Sequence, residues 1–98
     1  MLNIINKSPM TSVTLDTCLN TAAGGDILLI EDAVYAATKG NAAEASLRQA
    51  MGQFKIYVLM PDLEARGLGD RLIDGVSPVD YGGFVDLTSN NKTCQSWL

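Results

Sequence analysis

A continuous apolar run, Ile27-Leu28-Leu29-Ile30, constrains the fold of this 98-residue chain more than any other segment. Successive side chains of a strand point to opposite faces of its sheet, so this run would present apolar groups on both faces. Strands of that kind are usually central in parallel sheets, where helices lie on both faces. The run therefore favours an α/β fold in which this strand is buried.

Strand and helix patterns alternate on both sides of the run. Apolar or β-branched segments predict further strands over residues 2–6, 55–60, 76–80 and 93–98. Helical patterns lie between them, over residues 42–51, 61–67 and 81–88, with a helical turn over 33–38. Pro78 has no N–H to donate to a sheet, so its strand is expected at an edge or at a strand end. This order predicts a mostly parallel sheet with helices on both faces.

Length and composition limit the kind of protein. A chain of 98 residues is expected to form a single domain, residues 1–98. Its apolar runs are too short to suggest a membrane span, and no basic segment precedes the first apolar residues as it would in a signal peptide. We therefore expect a cytoplasmic protein. The formal net charge of -4 makes direct binding to nucleic acid a poor prospect for this chain.

The absence of histidine excludes several kinds of chemistry. Ser-His-Asp and Cys-His catalysis, and metal sites that need imidazole, all require a residue that this sequence lacks. The glycines do not form a GxGxxG motif or a P-loop, so nucleotide binding has no support. We expect no metal or organic cofactor, which leaves thiol chemistry on the two cysteines.

Cys18 has two interpretations. It belongs to a predicted helix that Thr11 or Ser12 would cap and that Gly24-Gly25 would end, and its apolar stripe is Leu15, Cys18, Leu19 and Ala22. A cysteine on such a stripe is favoured as a small buried hydrophobe. The functional alternative is a persulfide site, which would need access and a lowered pKa.

For two other candidate sites, Cys94 and the Glu31-Asp32 pair, the sequence favours a structural role. Cys94 lies among polar residues, so we expect it to be accessible, and in a reducing compartment both thiols are expected to be free. Glu31-Asp32 could bind a cation or share a proton at the carboxyl end of a strand. Because neighbouring residues on a strand point to opposite faces, a polar strand end that begins a turn is the favoured interpretation.

A collinear set of segments covers almost the whole chain. These segments are Asn6-Lys7-Ser8-Pro9, Leu28-Leu29-Ile30-Glu31-Asp32-Ala33-Val34-Tyr35-Ala36-Ala37, Ile56-Tyr57-Val58-Leu59, Asp62-Leu63-Glu64-Ala65-Arg66-Gly67-Leu68, Val79-Asp80-Tyr81-Gly82-Gly83-Phe84-Val85-Asp86-Leu87-Thr88 and Gln95-Ser96-Trp97-Leu98. Together, in this order, they resemble the small DsrH/TusB proteins of bacterial sulfur relay. The resemblance implies a three-layer α/β fold with a mostly parallel five-stranded sheet and helices on both faces, as in DsrEFH.

The same resemblance implies partners. Proteins of this kind form a heterohexamer with DsrE/TusD-like and DsrF/TusC-like subunits, and sulfur passes to a DsrC/TusE-like acceptor. The main sulfur-carrying cysteine belongs to the DsrE or TusD partner. This chain would then be an auxiliary or non-catalytic subunit of a sulfurtransferase complex, with no direct contact to nucleic acid or membrane.

Two branches of the family differ in outcome. The DsrEFH branch serves oxidation of stored sulfur, and the TusBCD branch supplies sulfur for 2-thiouridine at the tRNA wobble position. The segment around Cys18 is similar to the DsrH version, which has a cysteine in its first helix that TusB-like members generally lack. We therefore expect a DsrEFH-type subunit with Cys18 as a possible persulfide site. The alternatives are a TusB-like subunit and a purely structural subunit whose thiols are inert.

Overall fold

The computed structural model describes residues 1–9, 13–22 and 24–97 of the chain. Within them, five strands alternate with helices. The strands are β1 (Leu2–Ile5), β2 (Gly25–Leu29), β3 (Phe54–Leu59), β4 (Ser77–Val79) and β5 (Cys94–Trp97). The α-helices are α1 (Thr14–Thr21), α2 (Glu44–Ala50), α3 (Met60–Ala65) and α4 (Tyr81–Asn90), and a 3₁₀ helix spans Glu31–Ala37. The predicted cap at Thr11 or Ser12 falls outside the described residues.

The strands form one sheet in the order β4-β3-β2-β1-β5, and each neighbouring pair is parallel. The apolar run predicted to be central lies in β2, the third strand of the five, and continues one residue beyond it. The strand that contains Pro78 lies at one edge, as its missing N–H predicts. The predicted three-layer α/β fold is confirmed.

One face of the sheet carries most of the core. Alternate residues of the central strands point into it, among them Ile5, Ile27 and Val58, all inaccessible to solvent. The 3₁₀ helix and helices α1, α2 and α3 supply the covering side chains. Burial of these aliphatic groups, each worth about 1.5–3 kcal/mol, stabilises this face of the fold.

The opposite face carries a smaller cluster. Leu2 and Leu28 point into it from the sheet, and Leu87 of α4 packs against them. A side chain at Gly83 would bring its Cβ to 2.9 Å from the Cβ of Val79, so glycine permits the close approach of α4 to β4. Among the described helices, α4 alone contributes a buried residue to this cluster.

The link from α1 to β2 is tighter than the sequence suggests. α1 ends at Thr21, where the N–H of Ala22 donates to the carbonyl of Cys18, and the strand already begins at Gly25. Gly25 has a φ of 111°, and an added Cβ there would lie 2.6 Å from the carbonyl oxygen of Met1. The prediction that Gly24-Gly25 would end the helix is therefore wrong in its position, since the helix ends earlier with an extended residue at Ala22. Gly25 instead permits a positive φ at the start of β2 and the close approach of this strand to Met1. No helix in the described part of the chain is long and apolar enough to cross a membrane.

Candidate functional site

Helix α1 holds Cys18 against the main core. Its inward residues Leu15 and Cys18 are buried, and Leu19 and Ala22 pack beside them, so the predicted apolar stripe is confirmed. The outer side is polar, where the Thr21 hydroxyl donates to the Thr17 carbonyl at 2.7 Å. The local pattern of the helix thus directs the thiol away from solvent.

The surroundings of Cys18 oppose ionisation. Its side chain is 0% exposed, and burial raises the pKa of the thiol to about 11. At neutral pH, such a group is almost entirely the neutral thiol, whereas the thiolate is the nucleophile in sulfur exchange. Cys18 is therefore placed as a small apolar core residue and not as a nucleophile.

Cys94 lies in a contrasting position. It is the first residue of β5, it is exposed, and both cysteines are free thiols. Its register partner is Leu2, whose side chain belongs to the smaller cluster, so Cys94 is on the face opposite the main core. The sheet therefore separates the two thiols, and they do not form one site.

Polar side chains meet where β1, β2 and β3 end. Glu31 follows β2 with a φ of 50°, and its N–H donates to Asp62 Oδ2 at 2.6 Å. The amide of Asn6, just after β1, donates to Glu31 Oε2 at 3.4 Å. Because φ is positive at a residue that is not glycine, the Asp62 carboxylate stabilises a backbone conformation that is otherwise sparsely populated.

Arg66 completes this strand-end cluster of Asn6, Glu31, Asp32, Asp62 and Arg66. Its guanidinium donates to Asp32 Oδ1 at 2.9 and 3.1 Å, and to the Asp62 carbonyl at 3.0 Å. Glu31 and Asp32 thus have different partners, which favours the turn interpretation over a shared cation. Among the described residues, no group of three or more His, Cys, Asp or Glu is arranged to hold a metal ion.

Sequence reasoning did not identify Asn6 or Arg66 as members of this cluster. The spacing of Asp62 and Arg66 would have suggested an ion pair between these two residues, whereas the Arg66 guanidinium pairs with Asp32 and bonds to Asp62 only at its carbonyl. At the neighbouring strand end, Asp80 Oδ1 accepts from the N–H of Gly83 at 2.8 Å and caps α4. These groups order the loops at the carboxyl edge of the sheet.

The family model described as DsrH like protein matches residues 7–94. The chain belongs to the DsrH-like family. The resemblance drawn from the separate sequence segments is therefore confirmed. The described fold of this DsrH-like chain covers nearly all of the matched region.

Full-length relatives carry the name TusB. Protein TusB of Escherichia coli O1:K1 / APEC is 36% identical over 97 residues, which cover 99% of this chain and 100% of the relative. Protein TusB of Shigella flexneri is 35% identical over the same share of each chain. The names favour the TusB alternative over the DsrEFH assignment expected from Cys18.

Two solved structures have the same fold. The YchN protein from E. coli superposes with a TM-score of 0.80 at 18% identity, over 97% of each chain. A protein of unknown function from Methanobacterium thermoautotrophicum gives a TM-score of 0.75 at 14% identity, over 97% of this chain and 95% of the other. At such identities the likeness concerns architecture.

Proposed function

We propose that this DsrH-like chain is a TusB-type subunit of a sulfur-relay complex that supplies sulfur for 2-thiouridine at the tRNA wobble position. Support comes from relatives named TusB that are 35–36% identical and aligned over 99% of the chain. Its partners would be TusD-like and TusC-like subunits, and a TusE-like protein would accept the sulfur. The net charge of -4 agrees with transfer to a protein rather than contact with RNA.

The contribution of this subunit would be assembly rather than sulfur carriage. The observation behind this is the complete burial of Cys18, with its pKa raised to about 11. At pH 7, a thiol with that pKa is ionised in about one molecule in 10,000. A carrier needs a thiolate that a donor persulfide can reach, and α1 provides neither access nor charge stabilisation.

An assembly role needs an apolar surface, and α4 has one. Tyr81 and Val85 are each 61% exposed and are four residues apart on this helix, so they share one side of it. Large aromatic and aliphatic groups of this kind are common anchors of protein interfaces. We assign this exposed pair to contact with a related subunit.

A DsrEFH-type subunit is the second candidate. The observation in its favour is the cysteine in α1, a position that the family resemblance associates with DsrH. In that case, loss of the chain would impair oxidation of stored sulfur and leave tRNA thiolation intact. The two candidates therefore predict different phenotypes for one gene deletion.

The experiment is deletion of the gene in its own organism, followed by complementation. We expect wobble 2-thiouridine, measured by mass spectrometry of digested tRNA, to fall at least tenfold. The unmutated gene and the Cys18→Ala variant should both restore 2-thiouridine. The matched control is Cys94→Ala, which removes the exposed thiol instead of the buried one. Unchanged 2-thiouridine in the deletion strain would refute the TusB assignment.

Sulfur loading tests the assembly role separately. The complex purified through this chain is incubated with a sulfane-sulfur donor, and peptides containing Cys18 and Cys94 are examined for added mass. We expect sulfur on a partner cysteine and none on Cys18. Stoichiometric persulfide on Cys18, together with loss of transfer in Cys18→Ala, would contradict this proposal. Tyr81→Asp should reduce recovery of the partners, whereas Asn90→Asp, at an exposed position on the opposite side of α4, should not.

A further inference from the structure

The two edges of the sheet differ in how they are protected. At one edge, β4 has three residues, and Pro78 at its centre has no N–H. At the other edge, β5 has four residues and contains neither proline nor a charged side chain. Proteins commonly protect exposed edges with proline, lysine or very short strands, because an open edge can pair with another chain. β4 has such protection, and β5 lacks it.

The register identifies the backbone groups that β5 presents outward. Leu2 is paired with Cys94, and its N–H donates to the carbonyl of Thr93 at 2.9 Å. In a parallel ladder with this register, Gln95 and Trp97 direct their N–H groups toward β1. The N–H and C=O groups of Cys94 and Ser96 consequently point away from β1, and in the described part of the chain no strand lies on that side.

A groove lies next to β5. It has a volume of about 470 Å³ and is bordered by Met1, Thr21, Ala22, Gly24, Gln95 and Trp97. Gln95 and Trp97 are the two β5 residues that share the main-core face, so the groove is on that face, between the end of α1 and β5. Apolar groups from Met1, Ala22 and Trp97 make it suited to an aliphatic side chain.

Trp97 forms a fixed wall of the groove. Its indole N–H donates to Asn3 Oδ1 at 3.1 Å, and the Asn3 amide donates to the Asp26 carbonyl at 3.3 Å. Asn3 is 0% exposed, so these bonds anchor the indole through a buried side chain of β1. The edge and the groove therefore form a preordered surface, which reduces the entropy lost on binding.

We propose that the outer edge of β5 and this groove bind an extended segment of another protein, which adds a sixth strand to the sheet and places an aliphatic side chain beside Trp97. Two outward N–H groups and two outward C=O groups are complementary to an extended backbone. The surface is short, and β5 pairing alone would bury far less than the roughly 800 Å² per partner of a stable interface. This favours a peptide segment over a second copy of the folded chain, and it does not depend on the relay function.

The test uses the ¹⁵N-labelled 98-residue chain and one defined peptide. The probe has blocked ends, a lysine at each end and alternating valine and threonine between them. We expect hydrogen exchange to slow at least tenfold at Cys94 and Ser96 when the peptide is added. Exchange at Gln95 and Trp97, which already bond to β1, should change less than about twofold. Amides of β4 serve as the internal reference.

Two controls isolate the backbone bonds. A peptide of the same sequence with N-methyl groups on every amide between its ends keeps its side chains, has no N–H donor at either edge there, and should bind at least tenfold more weakly. In the protein, Ser96→Pro removes an outward N–H without removing a bond to β1, whereas Ser96→Ala retains it. Ser96→Pro should lose binding and Ser96→Ala should keep it. The N-methyl comparison stands even if Ser96→Pro fails to fold.

Three results would overturn the proposal. The first is unchanged exchange at Cys94 and Ser96 in saturating peptide, and the second is equal binding of the N-methylated peptide. The third is protection of the same amides without peptide that increases with protein concentration, which would assign the edge to a second copy of this chain.

Discussion

The two cysteines show how position decides the chemistry of one functional group. Cys18 is enclosed by α1 and the main core, and its side chain has no solvent exposure. Cys94 is exposed on an edge strand, on the other face of the sheet. Cys18 is an integral part of the core, whereas Cys94 can meet reagents and partners from solution.

The contrast separates two reasons for a cysteine to be present. A thiol packs well in a core because it is small and weakly polar, and such a site gains nothing from reactivity. Chemistry needs both access and thiolate character. The pKa of about 11 for Cys18 is therefore consistent with its packing role.

Thiol labelling should give the largest difference between the two positions. In native protein near neutral pH, we expect iodoacetamide to modify Cys94 at least about a thousandfold faster than Cys18, because Cys18 must first be exposed by local or global opening. Peptide mass spectrometry over a time course measures both rates. In Cys94→Ser, the fast reaction should disappear. Comparable rates at the two positions would show that α1 opens readily, and burial would then not distinguish the reactivity of Cys18 from that of Cys94.

Serine substitution should give the next largest difference. Cys18→Ser places a more strongly hydrogen-bonding hydroxyl in an apolar site, and we expect a loss of about 2 kcal/mol in the free energy of unfolding. Urea denaturation followed by circular dichroism measures it. Cys18→Ala separates the polarity of the hydroxyl from the loss of sulfur volume. Equal stability of Cys18→Ser and the parent would mean that the site tolerates polar groups.

Much of this arrangement was predictable from local patterns. The spacing of Leu15 and Cys18 identified the buried side of α1, and the apolar run identified the central strand. Pro78 predicted a position at a sheet edge or at a strand end because it has no N–H to donate, and its strand lies at an edge. Such features depend on periodicity or on a single residue's chemistry.

Other features depend on contacts between distant segments. The placement of Cys94 on the face opposite the main core requires the register of β5 on β1, and a shift by one residue would reverse it. The bonds of Arg66 to Asp32 and of Glu31 to Asp62 join residues more than thirty positions apart. A single sequence carries no periodic signal for these pairs, so the strand-end cluster was not predictable in detail.

Alkaline pH should distinguish the buried thiol through stability. The folded-state pKa of Cys18 is about 11 against an ordinary thiol value of 9.0, so between these values the unfolded state binds fewer protons than the folded state. Stability is retained below about pH 9 and falls as the pH rises above it. By about pH 10, the parent should lose about 1.4 kcal/mol more than Cys18→Ala, measured by urea denaturation at each pH. Parallel pH curves for the two proteins would indicate that Cys18 ionises as freely when folded as when unfolded.

Substitution at Cys94 should have the smallest effect. The side chain is exposed on an edge strand, so Cys94→Ser and Cys94→Val should each change the free energy of unfolding by less than about 0.5 kcal/mol. Valine should be the more stable of the two, because a β-branched side chain favours the extended conformation. The same urea denaturation measures both variants. A loss above about 1 kcal/mol in Cys94→Ser would mean that this thiol also packs against the protein, and the distinction between the two cysteines would then be one of degree.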